Sequence, residues 1–257
     1  MKAIHPTAVI HPKAQMGKDC FVGPYCVIGE HVVLGENCRL HSHVVLDGHT
    51  TLGAGNEFFP FASAGLRTQD LKWKGGTTSL RVGDHNVFRE HVTVHRATNE
   101  GDATVIGSHN LFLTSVHVAH DCVLGNHIIM SGFSGLAGHV LVEDRAILGG
   151  FTAVHQFCRI GRMAITGGCA KVVQDVPPFM LADGNPAETR ALNKIGLERN
   201  GVSEEVQNAL KQAHKMLFRD GLTVSNALAK IEAELPASPE LSHLIHFART
   251  SQRGLCR

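Results

Sequence analysis

The sequence predicts a mainly β fold, in which a parallel β-solenoid is followed by a small α-helical domain. An apolar residue recurs at every sixth position in two long runs between Ile4 and Val172. The period stops at residues 175–178, and the following segment has the caps and apolar stripes of helices. We therefore divide the chain into a solenoid domain of residues 1–187 and a helical domain of residues 188–257.

The six-residue repeat indicates short strands joined by tight corners. An α-helix turns about 100° per residue, so a step of six scatters the apolar side chains around its axis. Counting the recurring apolar residue as position one, position three often bears a charge, as at Lys18 and Glu30, so the chain must bend inside each repeat. Position two is often Gly and position four often Asp, Asn or His, which tolerate turn dihedrals. Position five is small, often Cys or Ala, as a narrow interior requires.

Composition and charge exclude several classes of protein. The net charge of +1 argues against a nucleic-acid-binding stripe. We find no apolar run of about eighteen residues and no N-terminal signal pattern, so we expect no transmembrane segment and a cytoplasmic location. The seven cysteines mostly occupy interior position five, and we interpret them as small apolar core residues.

Three helices are predicted after the solenoid. Ser203 is an N-cap before a first helix that stops at Gly221. A second helix is predicted from about Thr223 to Leu235. The pair Ser238-Pro239 begins a third helix, which runs toward Arg253.

Most of the eighteen histidines lie at corner positions, where a turn explains them. These corner histidines are His31, His43, His49, His85, His91, His109, His127 and His139 at position four, and His5, His11 and His41 at position two. The other solenoid histidines are His95, His117, His120 and His155. We consider these four first as candidates for a functional site.

Hexapeptide repeats of this kind resemble the left-handed parallel β-helix family, in which three repeats make one coil of eighteen residues. In that arrangement His120, Gly138 and Gln156 stack on one corner in successive coils, about 4.8 Å apart. His139 and His155 flank this column. The column has the dimensions of a small-substrate site.

A second corner column contains Arg96, Thr114 and three glycines, Gly132, Gly150 and Gly168. Stacked glycines make a smooth strip that another subunit or an extended apolar chain can approach closely. Turn geometry alone is an equally good explanation of these glycines.

Two interruptions of the repeat predict functional loops, because long loops in a compact repeat usually have a role. The first spans about residues 62–80 and contains Gln69, Asp70 and Lys72, which suit a hydroxylated, phosphorylated ligand. The second spans about residues 97–103 and closely follows His95.

Seven short motifs resemble those of one enzyme family. In order, they are Ile4-His5-Pro6-Thr7-Ala8, Gln69-Asp70-Leu71-Lys72, His117-Val118-Ala119-His120-Asp121-Cys122, Leu136-Ala137-Gly138-His139-Val140, Ala153-Val154-His155-Gln156-Phe157, Gln174-Asp175-Val176-Pro177-Pro178 and Arg253-Gly254-Leu255. Single hexapeptides occur in many acyltransferases. Together, the motifs resemble the UDP-N-acetylglucosamine acyltransferases of lipid A biosynthesis, over essentially the full chain.

The resemblance implies transfer of an R-3-hydroxyacyl group from acyl carrier protein to the 3-hydroxyl of UDP-N-acetylglucosamine, the first step of lipid A biosynthesis, without a cofactor or a bound metal. A sugar hydroxyl is a poor nucleophile at neutral pH, so we predict His120 as the general base. The Gly138 N–H, one coil away, is the predicted donor to the oxyanion. Family resemblance makes Asp121 the partner of His120.

Further site residues follow from the same resemblance. Contacts to the sugar, pyrophosphate or acyl group are implied for Gln69, Asp70, Lys72, His95, His117, His139, His155 and Gln156. Gly168 matches the position that gates acyl-chain length in the family, where a glycine predicts admission of a longer chain.

The nucleotide-binding segment departs from the family pattern. Asn193 and Arg199 match family positions, whereas Ile195 and Asn200 replace an acid and a second arginine. A 3-amino analogue of the sugar, which would give an amide product, therefore stays open as an acceptor.

The family resemblance also implies a homotrimer with three sites at subunit interfaces. Because acyl carrier protein is acidic, we predict that a basic patch of Arg159, Arg162 and Lys171 docks it.

Two other classes of function use a similar solenoid. The gamma-class carbonic anhydrases resemble this repeat and bind zinc between subunits through three histidines, for which His95, His117 and His120 are candidates. Those enzymes lack the long helical tail and the Gln-Asp-x-Lys loop. The other class is a noncatalytic scaffold, which an acyl-transfer assay distinguishes from an enzyme.

Overall fold

The computed structural model describes residues 3–257, which form a left-handed parallel β-helix followed by a helical domain. In chain order, the strands are β1 Ala3–Ile4, β2 Val9–Ile10, β3 Gln15–Met16, β4 Phe21–Val22, β5 Val27–Ile28, β6 Val33–Leu34, β7 Arg39–Leu40, β8 Val45–Leu46, β9 His49–Leu52, β10 Glu57–Phe58, β11 Ser63–Leu66, β12 Ser79–Val82, β13 Val87–Phe88, β14 Thr93–His95, β15 Ala103–Ile106, β16 Leu111–Phe112, β17 His117–Val118, β18 Val123–Leu124, β19 Ile129–Met130, β20 Gly135–Leu136, β21 Leu141–Val142, β22 Ile147–Leu148, β23 Ala153–Val154, β24 Arg159–Ile160, β25 Ile165–Thr166, β26 Lys171–Val172, β27 Met180–Gly184 and β28 Ala187–Leu192. The helices are α1 Lys194–Arg199, α2 Glu204–Phe218, α3 Val224–Glu234 and α4 Pro239–Arg249.

Three sheets form the faces of the solenoid. Sheet A contains every third strand from β1 to β25 and ends with β27 and β28, sheet B runs from β2 to β26, and sheet C from β3 to β24. Ala3 pairs with Phe21 and Phe21 with Arg39, each time eighteen residues further along the chain. The predicted coil of three hexapeptides is therefore confirmed.

The corners are made at position four. Nineteen non-glycine residues of the described chain have positive φ, including Asp121 at +60°, His139 at +61° and Phe157 at +64°. Glycine at position two has a different cause from the predicted one, because a Cβ at Gly17 would lie 2.6 Å from the backbone nitrogen of Glu36 in the next coil. These glycines permit close stacking of the coils, whereas polar and aromatic residues make the turn.

The interior is a narrow stack of apolar side chains. The position-one residues from Val22 onward are almost all buried, and the rings of Phe58, Phe88 and Phe112 stack with centroids 4.3 and 4.9 Å apart. Six of the seven cysteines are buried and all seven are free, whereas Cys169 is exposed at a corner. Their predicted role as small core residues is confirmed for the buried six.

The two loops change the length of two coils. Glu57 pairs with Val87, thirty residues on, and Val87 pairs with Leu111, twenty-four residues on. Thr114 therefore lies above Glu90, whose carbonyl accepts a hydrogen bond from its hydroxyl. The prediction that Arg96 shares a corner column with Thr114 is wrong, because the extra hexapeptide moves Arg96 to the next corner. His49, predicted at a corner, instead begins β9, and the turn is at Gly48, with φ +64°.

The helical domain agrees with its predicted caps. The side chains of Ser203, Thr223 and Ser238 accept hydrogen bonds from the first turns of α2, α3 and α4. The last helix ends at Arg249 and not near Arg253, because the chain turns at Gly254, with φ +75°, and returns to the solenoid.

The end of the solenoid is closed by segments that the repeat analysis did not predict. The strands β27 and β28 form an antiparallel hairpin at the edge of sheet A, and the chain near Leu255 pairs with Asp175. The predicted division between residues 187 and 188 falls inside β28 and stays a prediction. Among the described residues, no helix has the length and apolar character needed to cross a membrane.

Candidate active site

A cavity of about 780 Å³ opens beside sheet B, at its corner with sheet C. It is lined by eight of the predicted site residues, Gln69, Asp70, Lys72, His95, His117, His120, Gly138 and Gln156. The column of His120, Gly138 and Gln156, called the histidine corner below, is present as predicted, because His117 pairs with Gly135 and Gly135 with Ala153 in neighbouring coils.

His120 and Asp121 form a hydrogen-bonded pair on this corner. The positive φ of Asp121 turns the chain, so the two adjacent side chains meet instead of pointing to opposite faces. His120 Nδ1 lies 2.7 Å from Asp121 Oδ2. Because a carboxylate accepts, Nδ1 donates, and Nε2 is left as the acceptor on the cavity side.

The Asp121 carboxylate is held from several directions. The backbone N–H of Thr98 lies 3.3 Å from each of its oxygens, and the backbone N–H of Asp121 donates to Thr104 Oγ1 at 2.8 Å. His139 Nε2 lies 3.7 Å from Asp121 Oδ2. The carboxylate is 7% exposed, so it presents a fixed acceptor to His120.

Asp70 faces the other nitrogen of His120. Its Oδ2 is 4.0 Å from His120 Nε2, so both atoms can contact one hydroxyl group that lies to the side of the line joining them. Asp70 Oδ1 accepts the backbone N–H of Lys72 at 2.9 Å, which turns the loop at the cavity mouth. Gln69 and Lys72 lie beside Asp70 in the lining.

Two further histidines are uncharged groups of the cavity wall. His95 Nδ1 donates to the Arg67 carbonyl at 2.7 Å, and His117 Nδ1 lies 2.7 Å from Thr93 Oγ1. Burial lowers the pKa of His95, and it lowers the pKa of His117 to about 4. Both rings are therefore neutral hydrogen-bonding groups near pH 7.

Gly138 lies directly over the His120 ring. A Cβ at this position would be 2.3 Å from His120 Cε1, so only glycine leaves the imidazole in place. Within residues 3–257 the Gly138 N–H donates no hydrogen bond, while its carbonyl accepts one from the Phe157 N–H. The site therefore contains a free donor one coil from the histidine.

The other predicted site residues do not line this cavity. His139 stacks on Phe157 with ring centroids 4.6 Å apart, and the exposed His155 lies 3.2 Å from an Arg253 nitrogen. Gly168 lies with Gly132 and Gly150 on the corner between sheets A and B, called the glycine corner below.

The predicted nucleotide-binding residues lie in and around α1. The buried Asn193 caps this helix, accepting from Gly196 N–H and donating to the Met163 carbonyl. Arg199 is exposed at the helix end, and the side chain of Asn200 accepts a hydrogen bond from Arg145.

The predicted docking patch contains one residue with an internal role. The Arg159 guanidinium stacks on Phe247, 3.9 Å from the ring centroid, and lies 3.8 Å from Glu143. Its side chain keeps 22% exposure beside α4, and its docking role stays a prediction. Arg162 and Lys171 are exposed, and their docking role stays a prediction.

Sequence reasoning missed the apolar floor of the cavity and the threonines that form hydrogen bonds with Asp121. Gly135, Leu136, Ala153 and Val154 line the floor. The eighteen-residue spacing from His117 would have found them. No periodic signal identifies Thr98, because it belongs to the second loop.

The metal-ligand set considered above is not assembled within one chain. His95 Nδ1 is bonded to a carbonyl, and in the described chain the potential ligand atoms that lie within 4.8 Å of one another belong to His120, Asp121 and His139. In that group His120 Nδ1 already donates to Asp121. The pair has the arrangement of an oriented general base.

Comparison with known proteins agrees with the fold and the motifs. Residues 13–48 match the bacterial transferase hexapeptide family (six repeats), and residues 175–256 match the family described as UDP N-acetylglucosamine O-acyltransferase, domain 2. An acyl-(acyl-carrier-protein)–UDP-N-acetylglucosamine O-acyltransferase of Anaeromyxobacter sp. is 49% identical over 256 residues, which are 99% of this chain and 100% of that protein.

Solved structures extend the similarity to the whole fold. LpxA from Acinetobacter baumannii has a TM-score of 0.95 at 43% identity and covers 99% of both chains. LpxA from Bacteroides fragilis, a UDP-N-acetylglucosamine acyltransferase, has a TM-score of 0.96 at 38% identity, over 99% of this chain and 100% of the other. The chain therefore belongs to the UDP-N-acetylglucosamine O-acyltransferase family.

Proposed function

We propose that this protein transfers an R-3-hydroxyacyl group from acyl carrier protein to the 3-hydroxyl of UDP-N-acetylglucosamine. The observation that supports it most is the His120–Asp121 pair, which leaves Nε2 as the one acceptor nitrogen of the ring on the cavity side, one coil from the free Gly138 N–H. A base and an oxyanion donor at this separation are what direct acyl transfer to a hydroxyl requires.

The reaction follows from these groups. His120 Nε2 removes the proton of the sugar hydroxyl as its oxygen attacks the thioester carbonyl, and Asp121 stabilises the imidazolium that forms. The tetrahedral oxyanion accepts from the Gly138 N–H. As it collapses, the C–S bond breaks and the proton on His120 passes to the departing thiolate of the carrier, so an ester and a free thiol result.

The rest of the cavity suits a sugar nucleotide. The neutral His95 and His117 offer hydrogen bonds to hydroxyl and amide groups without the cost of a buried charge. Asp70 is an acceptor for a sugar hydroxyl, and Lys72 is a cation for a phosphate. We place the reaction in the cytoplasm, as expected from the sequence.

We also propose that the site is completed in a homotrimer. Phe133 and Phe151 stack 4.9 Å apart on the glycine corner and are 55% and 61% exposed. An exposed apolar ladder of this kind is typical of an interface. If the cavity side of a neighbouring subunit packed there, the glycine corner would close the open side of that cavity and place Gly168 beside the acyl chain.

Product analysis tests the reaction. The purified protein is incubated with a ladder of R-3-hydroxyacyl carrier proteins and either UDP-N-acetylglucosamine or its 3-amino analogue, and the products are weighed by mass spectrometry. We expect an O-acyl sugar nucleotide. An amide formed only from the amino sugar would identify that sugar as the acceptor. The absence of an acyl product with either sugar would reject acyl transfer.

Sedimentation tests the trimer. Phe151→Glu places a charge on the exposed ladder, so we expect smaller species and little activity, whereas Phe151→Leu keeps the apolar surface and the trimer. A wild-type protein that is monomeric at micromolar concentration would reject this assembly.

A further inference from the structure

A buried pair of threonine hydroxyls joins the two loops that interrupt the solenoid. Thr68 Oγ1 lies 2.9 Å from Thr98 Oγ1, and both residues are 4% exposed. Thr68 belongs to the loop between β11 and β12, and Thr98 to the loop between β14 and β15. Neither residue belongs to a strand, and the pair adds to a backbone hydrogen bond between the same loops, from the Gly101 N–H to the Thr77 carbonyl at 2.9 Å.

Each threonine is also bonded to one of the acids around His120. Thr68 Oγ1 accepts the backbone N–H of Asp70 at 3.1 Å, and the backbone N–H of Thr98 lies 3.3 Å from both carboxylate oxygens of Asp121. Asp70 faces His120 Nε2 and Asp121 is bonded to Nδ1. A continuous path therefore runs from one nitrogen of the imidazole to the other through the threonine pair.

We propose that Thr68 and Thr98 are positioning residues that set the distance between Asp70 and Asp121 and thereby hold His120 in register with the acceptor hydroxyl. The inference rests on the acyl transfer proposed above. Small displacements of a reacting pair reduce rates strongly, so a link that fixes both acids affects turnover without touching the substrate. In the Thr68–Thr98 bond one hydroxyl donates and the other accepts, so both are needed.

The test uses hydroxyl-deleting and hydroxyl-keeping variants. Thr68→Val and Thr98→Val keep the shape but lose the bond, and we expect each to lower kcat by about tenfold with a small change in KM. Thr68→Val also removes the acceptor of the Asp70 N–H, so the double variant should be no worse than Thr68→Val alone, because the bond that Thr98→Val removes is already lost. Thr68→Ser and Thr98→Ser keep the hydroxyl and should restore most of kcat.

A second readout separates positioning from stability. If Asp121 is held less firmly, it stabilises the charged imidazole less, and the acid limb of the kcat/KM profile moves to lower pH. The matched control is Thr189→Val, which removes another buried threonine hydroxyl bond, to the Cys256 carbonyl at 2.8 Å, at the closed end of the solenoid. We expect it to lower Tm and to leave kcat and the pH profile unchanged.

Two results would overturn the inference. The first is that Thr68→Val and Thr98→Val differ from wild type only in Tm, as the control does. The second is that their losses in kcat multiply in the double variant. Wild-type activity is measured first in every series. Its absence would reject the proposed reaction, whereas active variants with unchanged kcat would reject the threonine link alone.

Discussion

The histidine corner and the glycine corner lie at the two ends of the short strands of sheet B. Each has a glycine at position three, for a different reason. At Gly138 a Cβ would meet His120 Cε1 at 2.3 Å, whereas at Gly168 it would meet only the Gly150 carbonyl oxygen, at 3.6 Å. Neither glycine has positive φ, because the turns are made one residue later, at His139 and Cys169. The first glycine leaves room for a side chain of its own subunit, and the second leaves a surface open.

This difference shows that a repeat position does not define a function. The backbone at the two corners is equivalent, and what distinguishes them is the neighbour eighteen residues earlier, His120 in one case and Gly150 in the other. We therefore interpret the histidine corner as the place of the chemistry and the glycine corner as the place of assembly and acyl-chain contact.

The largest effect is expected from removing the base. His120→Ala should lower kcat by about 10²–10⁴-fold, because the hydroxyl then has no acceptor for its proton. The matched control is His127→Ala, which removes a corner histidine stacked on His109, 5.0 Å away, at the junction of sheets C and A. Initial rates are compared at saturating substrates. Equal rates in the two variants would contradict the role of His120 as the base.

A smaller loss is expected when the base loses its orientation. Asp121→Asn keeps the size of the side chain but replaces a carboxylate that accepts from His120 Nδ1 and from the Thr98 N–H. We expect kcat to fall by about 10²-fold, because an amide does not stabilise the charged imidazole. A variant with wild-type kcat would contradict the role of Asp121, whereas Asp121→Glu should retain part of the activity.

The smallest effect concerns stability and pH. Burial lowers the pKa of His117 from 6.5 in the unfolded chain to about 4, so the unfolded chain binds a proton in a range where the folded site does not. The free energy of unfolding should therefore decrease as the pH falls from about 6.5 toward about 4. Urea titrations at pH 7.5 and 5 measure the difference. The difference in the free energy of unfolding between the two pH values should be smaller in His117→Gln. An unchanged difference would show that other groups cause the pH dependence.

The stacking of the histidine corner was predictable because the repeat is local and periodic. An eighteen-residue coil places His120, Gly138 and Gln156 on one edge without any knowledge of long-range contacts, and the sheet register confirms it. The caps of α2 to α4 are equally local.

Features that depend on non-periodic contacts were not predictable. Thr68 and Thr98 meet across thirty residues and two loops, Arg96 was misplaced by an extra hexapeptide, and the hairpin of β27 and β28 has no repeat signature. The meeting of His120 with Asp121 required the positive φ of Asp121, which an extended strand does not have.

The most direct test of the account compares Gly138→Ala with Gly168→Ala across a series of acyl-chain lengths. Gly138→Ala should lower kcat about 10²-fold for every donor, because the new methyl group displaces the His120 ring. Gly168→Ala should keep wild-type kcat with short donors and lose kcat/KM only with the longest. Equal losses in both variants at all chain lengths, or a fully active Gly138→Ala, would contradict the division of roles between the two corners.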